Sequence, residues 1–220
     1  SMATGSVRRS MSSWRWVFPT CSATGACVLL SCTFNGSGSC MDFVTVVSQS
    51  AGNAAQIEKA TGTVSLNYVV LQDIHAIGGA TFNATNSADL GNNTGWNFLP
   101  ATPRTLYWVG GGGNWNDTAH WSLSSGGPGG ECIPTPFDDV FFNQNSGFAS
   151  AGQQVTINTA IAFCRNMDWT GVLNSPDLTG SDQNNLFVFG SLKFVPAMTF
   201  TFAGEVHFMA HSTGKTIASA

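Results

Sequence analysis

The residues of this chain that could carry chemistry are few and widely spaced. Asp138 and Asp139 are adjacent, and neighbours on a strand project to opposite faces, so they are ill placed to act as general acid and base. Asp168, Asp177 and Asp182 are the carboxylates that could converge on a glycosidic bond if successive passes of the chain lay over one another. One would then protonate the leaving oxygen while another activated water. Turn aspartates bonding their own backbone explain the same three residues without catalysis, and we favour that reading. His75, His120, His207 and His211 are scattered, with no Gly-x-Ser-x-Gly elbow to accompany them. His207 and His211 would share one face of a strand, but a metal there lacks evident further ligands, so packing or exposure is expected. The glycine run at 110–113 has no Gly-Lys-Ser/Thr after it and reads as a turn, not a phosphate cradle. Calcium is the one cofactor with candidate ligands: Asp177, Asp182 and Asp89 lie with asparagines in glycine-containing loops. Asx turns account for these residues too, and no resident cofactor is expected.

A denser constellation lies at Tyr107-Trp-Val-Gly-Gly-Gly-Gly-Asn-Trp-Asn-Asp-Thr-Ala-His-Trp121. The rings of Tyr107, Trp108, Trp115 and Trp121 could stack on apolar sugar faces while Asn114, Asn116, Asp117 and His120 bond hydroxyls, forming a shallow glycan site. The competing expectation, which we favour, is that these rings plug a hydrophobic core.

Only 9% of the 220 residues are charged, against about 25% in an ordinary soluble domain, while 43% are hydrophobic, with 16 Phe and 7 Trp. Such a chain can fill a core and is not disordered. Eight Lys and Arg against twelve acids give a net charge of −4, too little positive charge to neutralise a phosphate backbone, so nucleic acid is not an expected partner. No run of about 18 apolar residues is present to span a bilayer. Pro19, Cys21 and Gly25 interrupt any apolar core of a signal peptide within residues 1–30. The start at Ser1 and the strand-like end Lys215-Thr-Ile-Ala-Ser-Ala220 suggest a segment of a longer protein. Six cysteines stand at 21, 27, 32, 40, 132 and 164, in no zinc-ligand spacing. Cys32–Cys40 and Cys132–Cys164 are the disulfides to test first, with free buried thiols the alternative for the second pair.

The elements that must position these residues are short strands. Residues 1–41 are the hardest part to interpret, with alternation around Cys27 and a turn after Phe34. Residues 43–47 form a β-branched run, and 63–71 read as one strand with Val64, Leu66, Tyr68 and Val70 on one face. Residues 53–60 are the single weak helical candidate, and the Asn/Gly-rich stretches at 78–83 and 90–96 read as loops. Two prolines in Leu99-Pro-Ala-Thr-Pro-Arg104 place a linker at 100–104 between a first β-repeat, 42–99, and a second, 105–220, cut short at its C-terminus. Further strands are expected at 137–142, 153–158, 162–169, 186–195, 198–202 and 205–209. The fold class is all-β. Strands of this length fit an antiparallel β-sandwich or a parallel β-solenoid, and the scarcity of two-residue hairpin links favours the solenoid, with the Trp/Gly-rich loop as an insertion.

Tyr107-Trp-Val-Gly-Gly, Asn114-Trp115, His120-Trp121-Ser and Pro136-Phe-Asp-Asp-Val140 together resemble an opening that precedes β-helical repeats. It occurs in secreted bacterial adhesin-like proteins and in uncharacterised phage and marine metagenomic proteins. Residues 62–73, 78–82 and 92–96 are similar to the closing rung of a preceding repeat in that group, and 206–220 to an interior rung, so the likeness spans 42–220. It implies a β-solenoid belonging to a secreted, cell-surface or virion protein, structural or adhesive in role and without enzymatic activity. Its implied partners are glycans or like β-helical chains, including homo-oligomers. The alternatives are a polysaccharide depolymerase, which needs two facing carboxyl groups, and a carbohydrate-binding module, which needs Trp115 exposed.

Overall fold

The computed structural model describes strands at residues 6–10, 13–18 and 27–28 and the stretches 37–99 and 101–219. The chain divides into two compact units, Ser1–Ala101 and Thr102–Ala220, a division that falls within the proline-containing segment. Both are built of strands that pair almost entirely in parallel, and the one helical segment among the described residues is a 3-10 turn, Thr118–His120. None of the helical structure described is long and apolar enough to cross a membrane.

In the second unit the chain visits three sheets in a fixed cyclic order. The first sheet contains Thr105–Trp108, Asp139–Phe141, Met167–Asp168, Leu192–Lys193 and Ile217–Ala218. The second contains Gly113–Asn114, Gln154–Ile157, Asp177–Gly180 and Thr199–Phe200. Ile161–Cys164, Asn185–Val188 and Glu205–Phe208 make the third. Strand alternation sends every second side chain inward, and the parallel register stacks like on like. Leu106, Val140, Met167 and Leu192 therefore form one buried column, and Val155 with Leu178, Ala162 with Leu186, and Cys164 with Val188 form others.

The first unit repeats the arrangement with shorter passes. Val44–Ser48, Val69–Gln72 and Ala88–Asp89 share a sheet that also holds Ser13–Phe18, itself antiparallel to Ser6–Ser10. Ala55–Glu58 pairs with Ile74–Ile77, and Thr63–Asn67 with Thr81–Thr85 and then Trp96–Leu99. Passes this short need one-residue corners, and the backbone turns through positive φ at Tyr68 (52°), Asp73 (58°), Asn86 (50°) and Asn92 (52°). Asn and Asp tolerate that region better than other residues with a Cβ, and here their side chains also strap one pass to the next. Asn86 Nδ2 donates to Asn67 Oδ1 at 2.8 Å, and Asn92 Nδ2 to Asp73 Oδ1 at 2.6 Å. The buried Asp73 carboxylate also accepts the Gly52 N–H at 2.9 Å.

Several expected elements come out differently. The run at 63–71 is two strands, Thr63–Asn67 and Val69–Gln72, because the corner at Tyr68 resets the alternation and leaves Val69, Val70 and Leu71 all buried. Likewise 162–169 divides into Ile161–Cys164 and Met167–Asp168, and 186–195 into Asn185–Val188 and Leu192–Lys193. The helical candidate at 53–60 contains the strand Ala55–Glu58, whose Ala55 and Ile57 face the core. Thr81–Thr85 is a strand where a loop was expected, with Phe82 and Ala84 pointing inward. Antiparallel pairing is confined, among the described residues, to Ser6–Ser10 with Ser13–Phe18, Thr105–Trp108 with Trp121–Ser122, and the Ser39–Asp42 bridge. This is not the pattern of an antiparallel sandwich.

Gly95 shows how tightly the short passes fit. Its φ is +75°, and a Cβ there would stand 2.0 Å from the Ala76 carbonyl oxygen. Gly91 has a φ of +103°, but its Cβ would meet only open space. Gly95→Ala is therefore expected to destabilise the first unit by about 1–3 kcal/mol or more, and Gly91→Ala by clearly less. Equal urea midpoints for the two variants would contradict this fit.

Candidate functional site

The tryptophan loop is built from the strand Thr105–Trp108, whose alternation buries Leu106 and Trp108 and leaves Tyr107 on the outer face. Beyond it the chain reverses through Gly110 and Gly111, both at positive φ. Asp117 caps the 3-10 turn by accepting the Ala119 N–H at 2.9 Å, and that turn delivers His120 onto Trp108. The two rings are parallel, 4.6 Å apart and inclined by 6°. His120 Nδ1 lies 2.7 Å from the Val109 carbonyl, which can only accept, so Nδ1 carries the proton. A Cβ at position 113 would fall 1.9 Å from His120 Nε2, which is why the run of glycines extends to Gly113.

Trp108, Trp115 and Trp121 are fully buried. Trp108 Nε1 donates to the Gly111 carbonyl at 2.6 Å and Trp121 Nε1 to the Trp115 carbonyl at 2.8 Å. Trp121 meets Trp108 and Trp115 edge to face at 5.1 and 4.8 Å, and Phe142 stacks on Trp169 at 3.8 Å. The expected glycan patch is corrected here: the three indoles have no face open to a sugar and fill the core instead. Of that set Asn114 and Asp117 are exposed, His120 is half-buried, and Tyr107 lies apart on the outer face.

That outer face is the one feature the sequence did not single out. In register across the first sheet, the outward positions are Tyr107, Phe141, Asp168 and Lys193. Tyr107 and Phe141 are both half-exposed and stack at 5.5 Å. The signal was present in the pairs Tyr107-Trp108 and Phe141-Phe142, in each of which the first ring points out and the second in.

The adjacent aspartates take separate arginines. Asp138 is buried and receives Arg104 in a fork, Nε to Oδ1 at 3.1 Å and Nη2 to Oδ2 at 2.6 Å. The backbone N–H of Arg104 and the N–H and hydroxyl of Thr135 also donate to it. Asp139 is held by Arg165, Nε to Oδ1 at 2.7 Å, and by Asn166 Nδ2 at 2.6 Å. Burial pushes the Asp139 carboxyl up, but the hydrogen bonds from Arg165 and Asn166 and the guanidinium charge outweigh it and hold the group below its ordinary value.

Asp168, Asp177 and Asp182 do not share a cleft. Asp168 lies on the first sheet and accepts from the Thr170 N–H and hydroxyl. Asp177 lies on the second and accepts from Thr201 one pass later, and Asp182 is exposed in a turn beside Gln183. In the two candidate calcium loops, Asp89 Oδ1 accepts from the Gly91 N–H and Asn93 Nδ2, and Asn184 Oδ1 accepts from Ser181. Among the described residues, no group of three or more His, Cys, Asp or Glu is placed to hold a metal ion.

His207 and His211 do not share a strand. His207 stacks on Phe187 at 4.4 Å with Nε2 3.2 Å from both Asn185 and Glu205, whereas His211 is exposed beyond the end of Glu205–Phe208. His75 lies in Ile74–Ile77 between Gln56 and Thr94. Cys40 and Cys132 are disulfide-bonded, but Cys164 is a free, fully buried thiol, so the expected Cys132–Cys164 bridge is not formed. Burial, with the negative charges of Asp139 and Asp138, pushes the Cys164 thiol far up. Cys32 lies outside the described residues.

No protein-family model, curated protein or solved structure matches the chain.

Two outcomes follow from the site. Trp115→Ala is expected to destabilise the second unit by about 3–5 kcal/mol, since it empties a core position; unchanged thermal unfolding would place the ring outside the core. The Asp139–Arg165 pair strengthens the fold above the ordinary carboxylate range, and its contribution is lost as pH falls through the depressed Asp139 pKa, below about pH 4. Asp139→Asn should flatten that acid-side loss in a series of urea titrations. Parallel wild-type and variant curves would show that the pair contributes nothing.

Proposed function

We propose that this chain is a non-enzymatic structural or adhesive module of an extracellular or virion surface protein. Each unit is a parallel β-solenoid whose three sheets are revisited in the same order on every pass. The observation that carries this reading is where the polar side chains go. Asp138, Asp139, Asp177, Asn86, Asn92 and Asn184 each bond a residue at least 19 positions away in the chain, strapping pass to pass. Catalytic carboxyl pairs need to be free and facing; these are consumed by the scaffold. The disulfide-bonded Cys40 and Cys132 accord with an oxidising, extracellular setting.

The contact surface is the outer side of the first sheet. Tyr107 and Phe141 offer a small aromatic platform, and Asp168 and Lys193, the next two positions in the same column, offer hydrogen-bonding groups at strand spacing. Such a flat platform with polar neighbours suits the face of a sugar ring and grips a glycan without a deep pocket.

A glycan array probed with the intact chain tests this. Binding to one glycan class should be lost in Tyr107→Ser and Phe141→Ser, with the circular-dichroism spectrum unchanged. Release of reducing ends from a bound polysaccharide would make the protein a depolymerase and overturn the non-enzymatic reading.

A further inference from the structure

The core of the second unit is open at one end. In the first sheet the inward column runs Leu106, Val140, Met167 and Leu192 at 0–3% exposure, and then Ile217 at 61%. Val155 and Leu178 are fully buried in the second sheet, but Phe200, next in register, is 43% exposed. The third sheet repeats this with Cys164 and Val188 at 0% and Phe208 at 45%. These are core positions by alternation and register, left uncovered because no further pass lies on them. Among the described residues, Thr199–Phe200, Glu205–Phe208 and Ile217–Ala218 are also the terminal strands of their sheets, so their outer backbone groups are unpaired. None carries the proline that commonly blunts an edge, and the only charged or titratable side chains on them are Glu205 and His207.

We infer that this end is a self-association surface which takes a second copy of the same chain, end to end, about a two-fold axis. Two observations select a second copy. First, the opposite edge of the first sheet is closed within the unit: Trp121–Ser122 pairs antiparallel along Thr105–Trp108, so a copy cannot extend that sheet head to tail. The open edges are left to meet their own kind, which gives a closed dimer and not a fibre. A two-fold reverses the sense in which the partner's chain winds, so every strand pairing across the junction is antiparallel.

Second, the third edge is complementary to itself. Glu205 and His207 stand two residues apart on one face of their strand, 3.2 Å from each other. Antiparallel pairing centred on Val206 sets Glu205 against the partner's His207, and His207 against the partner's Glu205, two favourable cross-strand pairs. The same junction covers Phe200, Phe208 and Ile217 with their equivalents.

This deepens the reading of the chain as a module that contacts like chains, and rests on it. Sedimentation velocity of the 220-residue chain across micromolar concentrations should show a monomer–dimer equilibrium. Phe208→Glu with Ile217→Lys, both at exposed positions, should give a monomer with an unchanged melting curve. Glu205→Lys alone should weaken the dimer, and adding His207→Glu should restore it by exchanging the two charges, a rescue that non-specific hydrophobic clumping cannot give. A wild-type monomer at every concentration, growth past the dimer, or a dimer indifferent to all four substitutions would each overturn the inference. Hydrogen exchange on the same samples separates the two levels. A monomer whose strand amides remain protected sinks the dimer and leaves the stacked module intact, whereas unprotected strands sink both.

Discussion

Backbone hydrogen bonding between one pass of the chain and the next is the constraint on which the remainder of this protein depends. Each strand is only two to six residues long, too short to stand alone, so its amides and carbonyls must be met by the pass before and the pass after. Once they are, side chains fall into columns, and the protein has little use for ionic chemistry. Charged residues make up 9% of the chain, and the best-ordered of them are spent on the same task as the backbone, joining segments distant in sequence. Asp138 is the extreme case: a buried carboxylate is tolerable only because an arginine fork, two backbone N–H groups and a hydroxyl all converge on it.

The tryptophan loop solves a different problem posed by the same constraint. At the edge of the first sheet, where no earlier strand of the unit adds in parallel, the chain folds back as Trp121–Ser122 and lays Trp115 and Trp121 against Trp108 and Phe142. Large rings cover much apolar surface with few residues, and edge-to-face contacts fix how they meet. The glycines follow from that packing, since His120 can cover Trp108 only if position 113 carries no side chain.

Much of this was legible in the amino-acid sequence, and the failures have one cause. Composition and short β-branched runs pointed to an all-β chain, and the scarcity of hairpin turns pointed to parallel pairing. What alternation could not reveal was a corner made by a residue that looks like part of a strand. Tyr68 has every mark of a strand residue, yet it sits at positive φ and shifts the phase of everything after it. Corners at Asn86 and Asn92 were recognisable as irregular, but the Asn/Gly-rich stretches around them were read as loops although strands resume within a few residues. The site suffered from the same blindness to phase. Which of Tyr107 and Trp108 faces the core is decided by strand register, and the Arg104–Asp138 and Arg165–Asp139 pairs span 34 and 26 residues, separations that mean nothing until the length of a pass is known.

Cys164 turns the closed interior into something that can be timed. Its sulfur is sealed between Ala162, Leu186 and Val188, in a setting where the reactive thiolate is strongly disfavoured. A thiol reagent can reach it only when that stretch of the stack comes apart and closes again. The rate at which Cys164 is labelled therefore registers how often the middle of the second unit breathes, independently of any fraying at its ends.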